Sequence, residues 1–406
     1  MKNYYIALLF LLHSSISAYS QKSFNSYAIK DFVKESGKIN TGFIDSKNNI
    51  WIGTCSAEVI HFDGNTWNYY DKDFLKLGRS YDCVNKFYED SQSRIWMVAD
   101  GGIILYDKGT WTFYREKAPQ YYTHGVKEWN GKMFFSSFRG INVFENDKWR
   151  FINLPTSIST ASLEIDKNNK LWACFSNGDP CFLFDGDNWK EMNSQNSGLC
   201  SGNRNVLHLS ADSILYFSGP SGYFCSYDGK SFTDLDSKIR FIRFSYLSSI
   251  LSLQDSKDVF VAGKTNDNAN SLLAQVSDGE TIYHDYKSGL VQGSIVDLAL
   301  DTDDKIMAFS EDSISYEGIL KTTSYKMLKS DHKLIKNTVV THDLLFDFPE
   351  TQNLCVRILN IEGKLVLQKD NLRSNLSLED LRSGLYFVQL FDKNSMLSTE
   401  KIIKIE

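Results

Sequence analysis

"HFDGNTWNYY" runs from His61 to Tyr70, and "LYDKGTWTFY" runs from Leu105 to Tyr114. An aromatic, an Asp, turn residues, Thr-Trp and a closing Tyr stand in the same order twice. Looser copies follow as "VFENDKWRFI" from Val143, "LFDGDNWKEM" from Leu183 and "SYDGKSFTDL" from Ser226. Each phrase closes a longer unit, the first being "GFIDSKNNIWIGTCSAEVIHFDGNTWNYY" from Gly42. Within it, four runs of β-favouring residues are separated by turn residues: strand a "GFID", strand b "IWIGT", strand c "VIHF" and strand d "TWNYY". The Asp-Gly between c and d predicts a tight hairpin with those two residues at its centre, both at positive φ.

The unit recurs along the chain. Strand b anchors fall at Trp51, Trp96, Phe134, Trp172, Tyr216, Phe260 and Met307, with 38 to 47 residues between neighbours. Strand d anchors fall at Trp67, Trp111, Trp149, Trp189, Phe232, Tyr283 and Tyr325. Four strands per unit at that period is the pattern of a β-propeller blade, whose sheet buries both faces only by stacking on its neighbours. The chain is therefore read as all-β, with a seven-bladed propeller (range six to eight) over residues 42–327. Seven of the eight tryptophans sit at b or d anchors and are expected to fill inter-blade space; Trp129 is the exception, expected at the surface. The segment 21–41 holds one further strand, "SFNSYAIKDF", which either pairs onto the last blade or covers an edge.

The 406 residues carry a formal net charge of −6, which implies no basic face and no nucleic-acid partner. Residues 1–20 read as a secretory signal peptide: Lys2, the apolar run "YYIALLFLLHSSISA", then small residues before a cut near Ser20–Gln21. No later stretch is long and apolar enough for a membrane span. The seven cysteines are an odd count, so at least one is free or pairs outside the chain. A two-residue turn at Asn177-Gly178 would set Cys174 opposite Cys181, within disulfide range.

"NNIWIGT" with "FDGNTW", then "RIWMVADGGIILYD", resemble the repeats of the two-component regulator propeller family. That family includes periplasmic sensor regions of histidine kinases, many of which sense oligosaccharides. The resemblance implies the repeat and its fold; it does not carry signalling by phosphorylation.

After Met327 the phrase stops. Residues 328–338 read as a polar, lysine-rich linker. Residues 339–406 hold six or seven short strands, with alternation at Val356-Ile358 and Tyr386-Val388-Leu390, and suggest a small Ig-like β-sandwich. "VRILNIEGKLVL", "LSLEDLRSGLYFVQL" and the closing "KIIKI" resemble the type A C-terminal sorting domain of the type IX secretion system. The proline-containing opening common in such tails is missing. The resemblance implies the export machinery as a partner, a secreted or outer-surface location in a Gram-negative cell, and a tail often cleaved off.

Few groups suggest chemistry. The histidines form no HxxxH or HxH, "DTDDK" at Asp301 reads as a solvated a–b turn, and no cofactor motif is present, so no metal or cofactor is expected. "FDGNTW" is similar to a sialidase Asp box but lacks its preceding Ser. The d–a and b–c loops at one mouth of the channel are the candidate site, because binding residues concentrate on loops over a rigid scaffold. They contain Arg79, Tyr81, Tyr121, Tyr122, His124, Arg139 and Arg204, whose flat rings and donor forks suit glycan or protein surfaces. The favoured class is a surface binding module for a glycan or protein. The alternative is a glycan-active hydrolase or lyase, and a structural surface protein is the third class.

Overall fold

The computed structural model describes residues 22–405 apart from 32–35, 78–81, 115–123, 138–139, 156–159, 176–179, 201–205, 220–222, 240–243, 266–271, 278–279, 292, 321–323, 329–338, 347–353, 362, 373–374 and 393–394. The 328–338 linker, after Leu328, lies outside the described residues.

Among the described residues the repeats form seven antiparallel sheets, each ordered a-b-c-d. The first is Ile39–Ile44, Ile50–Thr54, Val59–Phe62 and Thr66–Tyr70; the second is Val84–Glu89, Ile95–Ala99, Gly102–Asp107 and Thr110–Phe113. These are the blades of a β-propeller. The chain divides into two compact units, Met1–Ala28 with Glu164–Leu320 and Ile29–Leu163 with Lys321–Glu406.

A buried carboxylate organises the a–b end of the repeat. Asp45 accepts from the amides of Lys47 at 3.0 Å and Asn49 at 2.9 Å, and from Trp51 Nε1 at 3.1 Å. Asp90 takes the amides of Gln92 and Arg94, both at 3.0 Å, and Trp96 Nε1 at 2.8 Å. Asp166 binds Trp172 Nε1 at 2.9 Å in the same way. A buried carboxylate needs such partners, and the Asp-x5-Trp spacing supplies them; at Asp90, Arg94 Nε adds an ion pair at 2.7 Å. In the seventh blade Met307 replaces the Trp, and Asp301 takes the hydroxyl of Tyr316 instead. Its other oxygen accepts from the amides of Asp303 and Lys305.

The indoles fill the space between blades. Trp51, Trp96 and Trp172 are fully buried. Trp51 packs with Phe87, Met97 and Ile104 of the second blade, and Trp111 of that blade lies 4.6 Å from the Tyr70 ring of the first. Trp172 meets Phe217 at 5.5 Å and Tyr227 at 5.4 Å. Trp129 is a correction: it is 5% exposed, edge-on to Phe134 at 5.4 Å, and belongs to the core. Its apolar partner lies in the next strand, which periodicity alone did not show.

The c–d turns also differ from expectation. Phe62 pairs with Trp67, and the Asp63 amide bonds Thr66 O, so Gly64 and Asn65 are the central residues and only Gly64 has positive φ. Asp63 stands one position earlier, where its carboxylate caps the amides of Asn65 and Thr66. Asp185 and Asp228 repeat this arrangement. Two positive φ values occur where the turn is Lys108-Gly109 or Asn146-Asp147.

Both chain ends depart from the simple repeat. The outer strand of the seventh blade is Asn25–Ala28, paired antiparallel with Ser313–Tyr316. Phe24 enters the core beside it, and Lys22 Nζ bonds Glu317 at 2.9 Å. Tyr325 is therefore not the d anchor of that blade. Ser324–Leu328 instead pairs in parallel with Thr66–Tyr70 and makes the first sheet five-stranded. The N-terminal strand already fills the seventh blade's outer position, so the next residues add to another edge.

Residues 339–406 have their own core. One sheet runs Val339–Val340, Ser395–Lys404, Gly384–Asp392, Leu354–Asn360 and Leu365–Leu372, with Asp343–Leu345 and Asn375–Ser377 forming a second pair. Val356, Ile358, Val388, Leu390 and Ile402 are fully buried against Leu344 and Leu378.

One buried group predicts a pH response. His61 is 6% exposed, stacks on Trp51 at 3.8 Å, and leaves Nε2 without a hydrogen bond. Burial lowers its pKa to about 4, outweighing Asp63 and Asp45. The unfolded chain therefore binds a proton first, and stability falls as the pH drops from 6.5 towards 4. His61 should account for about 2–3 kcal/mol of that loss. His61→Phe should lessen the fall in urea-measured stability between pH 6.5 and 4.5, with buried His284, lowered to about 4 in the same way, keeping its own share; an unchanged slope would show that the imidazole is not held neutral.

Candidate functional site

The two ends of each blade are built differently. The a–b and c–d turns are short and their carboxylates are occupied by backbone amides and indoles. The d–a connections are longer, as in residues 71–83, 114–125 and 193–205.

In the first two blades this end carries a linked set of polar side chains. Asn40, in the first strand a, donates from Nδ2 to Val84 O at 3.0 Å and to Asn85 Oδ1 at 3.3 Å. Asn85 donates to Asp100 Oδ1 at 2.8 Å, and Asp100 Oδ2 accepts from the Cys83 amide at 3.2 Å. Cys83 is bonded to Cys55, with Cα atoms 3.9 Å apart, so the b–c turn of one blade is tied to the d–a connection of the next. In that b–c turn, Glu58 accepts from the Thr54 hydroxyl at 2.8 Å, the Gly37 amide at 2.7 Å and the Tyr69 hydroxyl at 2.7 Å. Amides and carboxylates fixed this way present donors and acceptors at set positions, the requirement for recognising hydroxyl-rich or peptide ligands.

Of the residues read as candidates, His124 is described. It is exposed at the start of Val126–Trp129, and its amide and that of Gly125 donate to Ser136 Oγ at 3.2 and 2.6 Å. Arg79, Tyr81, Tyr121, Tyr122, Arg139 and Arg204 lie outside the described residues. Asn40, Glu58, Asn85 and Asp100 escaped the sequence reading. Their signal was weak: Cys55 just after strand b and Cys83 just before the next strand a mark where two blades are tied. Cys174 and Cys181 form a second disulfide, with Cα atoms 4.3 Å apart, and the turn between them falls at 176–179, outside the described residues. Ala173 pairs with Phe182, a register that sets the two cysteines opposite each other. Cys200–Cys225 is a third bridge, and Cys355 is free. Among the described residues no group of three or more His, Cys, Asp or Glu is placed to hold a metal ion.

Residues 339–406 match the secretion system C-terminal sorting domain family. The chain carries a type IX sorting domain. The sorting domain marks the protein as exported through the type IX system, to the cell surface or the medium, and no helix among the described residues is long and apolar enough to cross a membrane. No curated protein is similar enough to match. Solved structures do match. The extracellular domain BT4673 from B. thetaiotaomicron, assigned to a one component system, is 14% identical with a TM-score of 0.56 over 95% of this chain. This chain spans 60% of that domain's length. PorZ, a surface component of the type IX secretion system of Porphyromonas gingivalis, is 11% identical with a TM-score of 0.53, over 91% of this chain and 60% of its own. Virginiamycin B lyase from Staphylococcus aureus is 14% identical with a TM-score of 0.59, over 72% of this chain and 98% of its own. At these identities the likeness is one of fold.

Proposed function

We propose that the propeller is a binding module for a glycan or a protein ligand, displayed outside the cell by its sorting domain. The observation that supports this reading most is the Asn40–Asn85–Asp100 set, held by Cys55–Cys83 at the loop end of a chain addressed to the exterior. By their places in the sequence, Arg79, Tyr81, Tyr121, Tyr122 and His124 fall in d–a connections and would supply stacking and charge. Arg139 and Arg204 belong to loops of that kind in later blades.

The test is a glycan array and a surface-protein pull-down with the whole mature chain, each hit then screened for hydrolysis or elimination. The expected result is binding without turnover, weakened at least tenfold in Asp100→Ala. Turnover of a hit would replace the binding module with a glycan-active hydrolase or lyase. Binding indifferent to Asp100→Ala would move the site elsewhere, and silence on both assays would favour a structural surface protein.

A further inference from the structure

The three disulfides among the described residues differ in where their sulfurs lie. Cys174 and Cys181 are both fully buried, and so is Cys225 of the Cys200–Cys225 bridge. Cys55 and Cys83 are both partly exposed. In thiol–disulfide exchange a thiolate attacks one sulfur while the other leaves as a thiolate. At Cys174–Cys181 neither sulfur is open to attack. At Cys200–Cys225 only Cys200 is partly exposed, and Cys225 would have to leave as a charge inside an apolar cluster with Trp172 and Phe217, where burial disfavours it. At Cys55–Cys83 either sulfur can be attacked, and either can leave with water beside it.

The same bridge holds the candidate site. Cys55 follows strand b of the first blade, and its amide donates to Lys38 O at 3.0 Å. Cys83 precedes strand a of the second blade and pairs with Asp100 in both directions. The Cys83 amide donates to Asp100 Oδ2 at 3.2 Å, and the Asp100 amide donates to Cys83 O at 3.1 Å. Asp100 accepts from Asn85, and Asn85 accepts from Asn40. Each half of the bridge is thus anchored in its own blade, and the S–S bond ties the two covalently. Once it is cut, the Asn40 hydrogen bonds and the packing of Val84 are left to hold this end together.

We infer, on the strength of the binding role proposed for this end, that Cys55–Cys83 is its redox switch. A small thiol reduces this bridge ahead of the other two, and the reduced chain keeps its propeller while Asn40, Asn85 and Asp100 lose their fixed spacing. Two thiols are consumed. The first forms a mixed disulfide with one cysteine and frees the other; the second resolves it, so the chain gains two S–H groups and the reductant leaves as its own disulfide. The blades stay stacked because their aromatic anchors pack across the boundary without the bridge, Trp51 with Phe87 and Trp111 with Tyr70 among them.

The test is a timed reaction of the whole folded chain with 2-mercaptoethanol, each thiol being trapped by an alkylating reagent and located by mass spectrometry. Cys355, free from the start, calibrates the trapping. Cys55 and Cys83 should be trapped together, at least tenfold sooner than any cysteine of the other two bridges. In the chain reduced at that bridge, hydrogen exchange at the Cys83 and Asp100 amides should rise at least tenfold, while the Met97 amide, in a buried strand of the second blade, keeps its protection. Cys55→Ser/Cys83→Ser should show the same exchange with no thiol added. Earlier reduction of either other bridge, or unchanged exchange at Cys83 and Asp100, would overturn the switch. Loss of protection at Met97 would overturn it too, since the bridge would then be a staple of the fold. Should the double variant not fold, the thiol-treated chain decides alone. No readout here uses a ligand, so a silent glycan array and pull-down would strike the binding role and leave these results as they stand.

Discussion

A chain ending at Thr338 should fold and should not leave the cell. The sorting domain packs around its own residues, Val356, Ile358, Val388, Leu390 and Ile402 among them, and Leu344 and Leu378 complete that core from the same segment. The blades bury their aromatic anchors against neighbouring blades, and the strand Ser324–Leu328, paired with the first blade, is retained in this truncation. Cores built from separate segments lose little when the other is removed. Export depends on residues 339–406, the part that matches the sorting family. In a host with a working type IX system, fractionation should find the truncated protein in the periplasm, with surface and medium levels down at least tenfold. Normal export would refute the sorting role of the tail. A degraded, misfolded periplasmic product would refute the independence of the two cores.

Trp96→Ala should cost about 3–5 kcal/mol in denaturant-measured stability, the range for deleting a large buried ring. Trp96 is fully buried, with Phe135 at 5.2 Å and Phe144 at 5.4 Å across the blade boundary. Its Nε1 also fills a hydrogen-bond position on Asp90, which would be left with Arg94 at 2.7 Å on that oxygen. Trp96→Phe should keep much of the packing and lose the Asp90 bond, at about 1–3 kcal/mol. Trp111→Ala should fall below Trp96→Ala, because Trp111 is only half-buried. Unchanged stability in Trp96→Ala together with loss of ligand binding would turn the indoles from spacers into a binding platform.

The blade unit was legible because its two signals are local. Period-two strands and Asp-rich turns recur at one spacing, and each lies within a few residues of its partner. The Asp-x5-Trp lock is equally local: Asp45 with Trp51, Asp90 with Trp96 and Asp166 with Trp172 stand at one offset, so it could have been found from the chain alone. The sandwich tail was legible for the same reason, through the alternation at Val356-Ile358 and Val388-Leu390 that the core repeats. The candidate site was not. Asn40, Asn85 and Asp100 are ordinary residues in the chain, and they become a set because the packing of the first two blades brings Asn40 to Asn85.

By itself, then, the sequence determined the all-β repeat, the propeller blade and the sorting tail, because neighbouring residues within one blade or one hairpin specify them. Tertiary structure alone decided which strand completes which sheet. Asn25–Ala28 finds Ser313–Tyr316 almost the whole propeller away in sequence, and Ser324–Leu328 finds Thr66–Tyr70. Backbone pairing carries no residue code of its own: any extended segment can satisfy an open edge, and the edge it meets is set by where the fold delivers it. Cys55–Cys83 follows the same logic, since its two halves are brought together by the packing of two blades and not by the residues beside them.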